Sequence, residues 1–278
     1  MVVLKSPRNA PYAVRLLGFG LEDRSHLDAL LTHCPEGGPS YTCLGEDSLH
    51  EPDFYIADGD GPVGLAALTR ANPGPVQPAM VVARTPAPLP FPRVSRPFHR
   101  AQLHEVLAEM VCRRAQALAL LRGGECLVMP ERRRHPRIAS PRLDNAWQHR
   151  RQAAPSGAVL ILDNRGAFRD HVAKLVGGRR MAIEWTDSAL VALRLCDETP
   201  VALVMINTGL AGVDPYAVCA GIKAQEAALR TAVVLLCGSA FRFDSARGRD
   251  CGLRGVLDKP VGDRDLVAVL NRLLSLQG

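Results

Sequence analysis

The sequence predicts an α/β protein made of two doubly wound, five-stranded parallel-sheet domains joined by a basic linker. Three observations carry that expectation. In the second half, short branched apolar runs alternate with helical stretches five times within about 120 residues, the layout of an open sheet covered on both faces. The first half repeats this layout more faintly. Between the halves lies a segment crowded with arginine and proline. The expected boundaries are 1–122 for the first domain, 123–156 for the linker and 157–278 for the second domain.

The second half is the clearer one. AVLIL (158–162) is a continuous apolar run, the mark of a strand buried on both faces. A short helix over 168–176 should stop at Gly177-Gly178. MAIEW (181–185) is a second strand, and 188–196 a helix behind an Asp187 or Ser188 cap. VALVMI (201–206) is the third strand, followed by a single helix over 216–230. AVVLL (232–236) and GVLDK (255–259) are the fourth and fifth strands, and 264–274 is a closing amphipathic helix. In such a sheet, ligands bind beyond the carboxyl ends of the strands. Those ends are Asp163-Asn164, Asn207, Cys237 and Lys259-Pro260.

Composition bounds the rest. With 278 residues and 47% apolar content, the chain can bury two cores. No apolar run reaches 18 residues, so no membrane partner is expected, and the N-terminal stretch lacks the apolar core of a secretion signal. Eight cysteines contain no C-x-x-C pair, which argues against structural zinc. A cytoplasmic protein without cofactor or metal is the expectation.

The strand-end set resembles the receiver domain of bacterial two-component response regulators, with its flavodoxin- or CheY-like fold. That pattern has an acidic pair after strand one, a phosphorylated Asp after strand three, a hydroxyl after strand four and Lys-Pro after strand five. INTGLAGVDPYAVC (206–219) is similar to the stretch around the phosphorylated Asp and aligns Asn207 with it. The resemblance therefore implies a degenerate site of Asn207, Asp163, Asn164, Cys237 and Lys259. Phosphoryl transfer needs a carboxylate nucleophile and Mg²⁺ held by anionic oxygens. A neutral Asn207 and Asn164 supply neither, so no aspartyl phosphate is expected. Lys259 should then pair with Asp163 or donate to Asn207.

In the first half, strands are expected at 13–17, 41–44, 53–58, 79–83 and 92–97, and helices at 24–34 and 100–121. The layout is similar to a second, eroded receiver. Asp58 stands at its acceptor position, although the DGDG context suits a solvated turn. Arg96-Pro97 replaces Lys-Pro, and an Arg fork is no neutral substitute for a Lys ammonium. Glu22-Asp23 lie a turn beyond the expected acids. TPAPLPF (85–91) is too short and proline-rich to form the helix between strands four and five.

The connector 130–157 holds seven arginines against Glu131 and Asp144, with prolines at 130, 136, 141 and 155. Arg132, Arg133, Arg134 and Arg137 form an anion- or nucleotide-binding candidate, because guanidinium forks grip phosphates and stack on bases. ERRRHPRI also resembles the arginine motif of PilZ domains that bind cyclic di-GMP, without that family's second motif. A solvated linker is the competing reading.

No P-loop, G-x-S-x-G or H-E-x-x-H motif occurs. The expected function is a non-enzymatic, phosphorylation-independent docking module in a two-component-type pathway. Other signalling proteins and a second copy of the chain are the partners implied. The alternative is an effector that binds cyclic di-GMP or nucleic acid through the linker.

Overall fold

The computed structural model describes residues 11–33, 38–85, 89–122, 157–177 and 181–274. Two compact units divide them. One holds the residues up to Gly45 together with those from Pro52 through the long third helix; the other holds Glu46–Glu51 and everything from Gly157 on. The segment 46–51, expected inside the first domain, thus groups with the second.

The first unit runs β1 (Tyr12–Leu17), α1 (Leu21–Thr32), β2 (Tyr41–Cys43), β3 (Phe54–Asp58), α2 (Pro62–Ala71), β4 (Ala79–Ala83), β5 (Arg93–Ser95) and α3 (Arg100–Arg122). All pairings are parallel, in the order β2-β1-β3-β4-β5. Side chains alternate between the two faces as the strand period requires. Val14, Leu16, Phe54, Ile56, Met80 and Val82 pack against Leu27 and Leu31 of α1 and Leu103, Leu107 and Met110 of α3. Tyr55, Ala57, Ala79, Val81 and Ala83 point to the other face, under Leu68 of α2. No helix joins β4 to β5 among the described residues. Leu89 and Phe91 from that proline-rich connection help cover the face instead.

Helix α2 was absent from the sequence reading. Its first residue is Pro62, a position where the missing N–H costs nothing, and it ends at Asn72 in the left-handed conformation. The helix enters very close to the sheet. A Cβ on Gly64 would lie 2.2 Å from the Asp58 carbonyl oxygen, and one on Gly18 would lie 2.3 Å from the Gly64 Cα. Only glycine fits either position.

The second unit runs β6 (Ala158–Leu162), α4 (Ala167–Val176), β7 (Ile183–Thr186), α5 (Ala189–Glu198), β8 (Val201–Asn207), α6 (Pro215–Lys223), a 3-10 turn (Glu226–Ala228), β9 (Ala232–Cys237), α7 (Ser245–Asp250), β10 (Gly255–Asp258) and α8 (Asp263–Leu274). Its parallel order, β10-β9-β8-β6-β7, is that of the first unit read from the opposite edge. Strand β8 is buried along its whole length, and apolar layers lie on both sides of the sheet. The single helix expected over 216–230 is corrected. Asp214 caps α6, with Pro215 in its first turn, but the helix ends at Lys223. Gln225 is extended, with its Nε2 donating to Leu193 O at 3.0 Å, and the chain tightens into the 3-10 turn before β9.

Residues 46–51 lie along β10. Val256 N–H donates to Asp47 O at 2.9 Å, and Leu49 N–H to Val256 O at 2.8 Å. Leu49 is buried in the core beside Leu257 and Leu266. His50 Nδ1 lies 2.8 Å from Asp265 Oδ2, and its Nε2 accepts the Asp258 N–H at 2.9 Å. The backbone groups of β10 that an edge strand leaves open are here partly paired within the unit.

Candidate functional site

Parallel strands deliver side chains to one rim of the sheet, and in the second unit that rim gathers Asp163 after β6 and Asn207 at the end of β8. Both are nearly buried, at 8% and 9% exposure. Asn207 Nδ2 donates to Asp163 Oδ1, which also accepts the Asn164 N–H at 2.7 Å. On its other side, Asn207 Oδ1 accepts the Gly209 N–H at 2.9 Å. Asn164 is exposed and reaches Gly209 O at 3.4 Å. The single negative charge of Asp163 is therefore met by amide donors, and both ends of the Asn207 amide are occupied.

The expected role of Lys259 is corrected here. Its side chain makes no hydrogen bond or ion pair with Asp163 or Asn207, whose Oδ1 atoms are engaged by the Asn207 amide and by backbone N–H groups. Its backbone N–H instead donates to Cys237 O at 2.8 Å. Cys237 is buried at the end of β9. Burial pushes its thiol up to about 11; Asp258 adds to the rise and Lys259 opposes it. It remains a protonated, weak donor.

Two site neighbours had escaped the sequence reading. Thr208 Oγ1 donates to Leu236 O at 3.2 Å and accepts the Gly238 N–H at 3.2 Å, stitching the β8 and β9 ends together. Trp185 Nε1 donates to Asp163 O at 3.0 Å. A hydroxyl beside Asn207 was visible in the sequence; the indole, from a neighbouring strand, was not.

The matching rim of the first unit is built differently. Asp58 is not the solvated turn residue expected, but one of three carboxylates that close on Arg96. Arg96 Nη2 donates to Asp58 Oδ1 at 3.0 Å and Nη1 to Asp23 Oδ2 at 2.6 Å. Its Nε lies 3.2 Å from Asp60 Oδ2, near enough for an ion pair but at an angle that leaves the N–H without an acceptor. The guanidinium also sits 5.8 Å from the Phe19 ring and 5.4 Å from the Phe98 ring. The Arg96 side chain is 14% exposed, so these pairs are shielded from water far more than surface ion pairs are. Asp23 joins the cluster, while Glu22 is exposed. Arg96-Pro97 and Lys259-Pro260 are both cis.

Arg132, Arg133, Arg134 and Arg137 lie outside the described residues. Among the described residues no cluster of His, Cys, Asp or Glu forms a metal site, and no helix is long and apolar enough to cross a membrane.

Residues 159–271 match the family model of the response regulator receiver domain. Among solved structures, the chain is similar to the signal receiver domain of a signal transduction histidine kinase from Syntrophus aciditrophicus. That match has 25% identity, 43% of this chain and 90% of that one, and a TM-score of 0.38. It is also similar to the receiver domain of a sensor histidine kinase from Pseudomonas aeruginosa, at 18% identity, 43% and 98% coverage and a TM-score of 0.38. A CheY-like receiver domain protein from Methanospirillum hungatei matches at 19% identity, 43% and 94% coverage and a TM-score of 0.38. No curated protein matches the chain. The family match thus falls within the second unit, from β6 into α8.

Proposed function

We propose that this receiver has lost its phosphoryl chemistry and serves as a phosphorylation-independent docking module for other signalling proteins, a second copy of the chain among them. The arrangement of Asn207 supports this reading. Its amide spans Asp163 Oδ1 and the Gly209 N–H. The position that must attack phosphorus therefore carries a neutral amide with both ends engaged. Only Asp163 remains to hold a divalent cation, far fewer hard oxygens than Mg²⁺ requires. In the first unit, the degenerate counterpart is Asp58, whose carboxylate is already matched by the Arg96 fork. An arginine there supplies positive charge permanently, where a receiver would take it from an exchangeable metal ion.

Intact-mass analysis of the full chain after incubation with acetyl phosphate and Mg²⁺ tests the reading. No added phosphoryl group is expected. A phosphorylated Asp58, or any phosphorylated residue of the second unit, would overturn it.

The seven arginines of the connector favour a second reading, capture of cyclic di-GMP or nucleic acid through Arg132, Arg133, Arg134 and Arg137. Anisotropy of labelled cyclic di-GMP should then rise on titration, fall with added salt and stay flat for the fourfold Ala variant. A flat wild-type titration removes the nucleotide.

A further inference from the structure

Away from both strand-end sites, α6 and the end of α7 bring two thiols together beside a lysine. Cys219 lies in the middle of α6 and is fully buried. Its Sγ donates to the Cys251 carbonyl oxygen at 3.3 Å. Cys251 closes α7 and is half-exposed, with its own Sγ donating to Gly248 O at 3.3 Å. The Cys219 sulfur thus reaches the backbone of Cys251 directly. Burial pushes the Cys219 thiol up to about 12, and a hydrogen bond and repulsion from the Cys251 thiol add to the rise. The Cys43, Cys196 and Cys237 thiols are pushed up chiefly by burial.

Lys223 completes the cluster. It stands one turn after Cys219, donates from Nζ to Thr231 O, and interacts electrostatically with both thiols. Burial lowers its pKa, and the two sulfurs draw it back up. Cys251 is the thiol of the two that solvent reaches, since Cys219 is fully buried. A second thiol beside it, reaching its backbone at 3.3 Å, can resolve what the first one forms.

We propose that Cys219 and Cys251 are an oxidant-responsive modification site, at which hydrogen peroxide converts the pair into a disulfide that clasps α6 to the end of α7. The Cys251 thiolate attacks one peroxide oxygen. An S–O bond forms, the O–O bond breaks, and the departing hydroxide takes up the thiol proton as water. The Cys219 sulfur then attacks the Cys251 sulfenic sulfur. The S–S bond forms, the S–O bond breaks, and hydroxide leaves with the Cys219 proton as a second water. Two thiols are oxidised by two electrons in all, and one peroxide is reduced to two waters.

The location gives the bond a consequence. One end of the α6–α7 contact is already held where Tyr216 Oη accepts the Asp244 N–H at 2.7 Å and Arg247 pairs with Asp214 at 2.7 Å. The Arg247 guanidinium also lies 4.3 Å from the Tyr216 ring centroid. A disulfide would fasten the far end of this six-residue helix, whose flanking Phe243 and Leu253 pack on the core. This is independent of whether the strand-end site accepts phosphate.

The test uses the reduced full chain, exposed to hydrogen peroxide, blocked with N-ethylmaleimide, digested and analysed by mass spectrometry. A linked Cys219–Cys251 peptide, reversed by dithiothreitol, is expected before Cys196 or Cys237 loses its maleimide adduct. Cys219→Ser should leave a dimedone-reactive sulfenic acid on Cys251 and no linked peptide. The wild-type experiment decides even if that variant fails to fold. Full maleimide labelling of both residues after peroxide treatment would overturn the proposal, as would sulfenic or sulfinic Cys251 in the wild type without the linked peptide.

Discussion

Arg114→Met is expected to lower the stability of the first unit by about 3–5 kcal/mol, the usual cost of leaving one member of a buried ion pair behind. Arg114 lies on the sheet-facing side of α3, and its Nη2 donates to Asp53 Oδ1 just before β3. The two side chains are only 3% and 9% exposed. Asp53 Oδ2 also accepts the Ala13 N–H at 3.1 Å, so this carboxylate joins α3, β1 and β3. Methionine fills much of the arginine volume but leaves the buried carboxylate without its cation. Hydrogen exchange of the slowest β3 and β4 amides is the suitable measurement, since it isolates this unit from the other. Their protection should fall by roughly two to four orders of magnitude. Adding Asp53→Asn should recover part of the loss, because an amide needs no counter-charge. A loss under about tenfold in the single variant would mean that water reaches the pair.

That ion pair also marks where sequence reasoning stopped. Strands such as AVLIL and VALVMI were legible because burial on both faces leaves an unbroken apolar run. Strand ends were legible for the same reason, so Asp163, Asn207, Cys237 and Lys259 could be placed before any coordinates. What brings Asp23, Asp58 and Asp60 onto Arg96 is the convergence of the start of α1, the end of β3 and the turns after β3 and β5, and no spacing along the chain encodes it. The same holds for Asp53 and Arg114, 61 residues apart. Helix α2 escaped notice because Gly59, Gly61, Pro62 and Gly64 read as turn residues, although Gly64 is what lets it approach β1 and β3 closely. The partner expected for Lys259 rested on its place after the fifth strand in the receiver resemblance. In the structure the Asn207 amide and the Asn164 N–H engage Asp163 Oδ1, and Lys259 contributes its backbone N–H to Cys237 O.

Asn207→Asp should reverse the logic of the second unit's site. The substitution keeps the shape of the side chain and its acceptor toward the Gly209 N–H, but replaces the donor facing Asp163 Oδ1 with a second carboxylate oxygen. Two nearly buried carboxylates then touch with no cation between them. Like charges in contact push one carboxyl well above its ordinary value, and the resulting cost at neutral pH is on the order of 2–4 kcal/mol. The sign follows from linkage. The introduced carboxyl has a raised pKa in the folded state, so that state holds the proton more tightly than the unfolded one. The deficit relative to wild type should therefore be full above the folded pKa and shrink as pH falls through it. A divalent cation offers the other remedy, because the pair now presents two anionic side chains to it. Millimolar Mg²⁺ or Mn²⁺ should raise the variant's melting temperature and leave the wild type unchanged. Asn207→Ala is the control: it loses the amide hydrogen bonds without adding charge, so its deficit should respond neither to pH in that window nor to Mg²⁺. If Asn207→Asp matches the wild type at pH 7.5 without Mg²⁺, the closed, charge-poor site is disproved, and with it the argument that phosphoryl chemistry was removed by filling the acceptor position with a neutral donor.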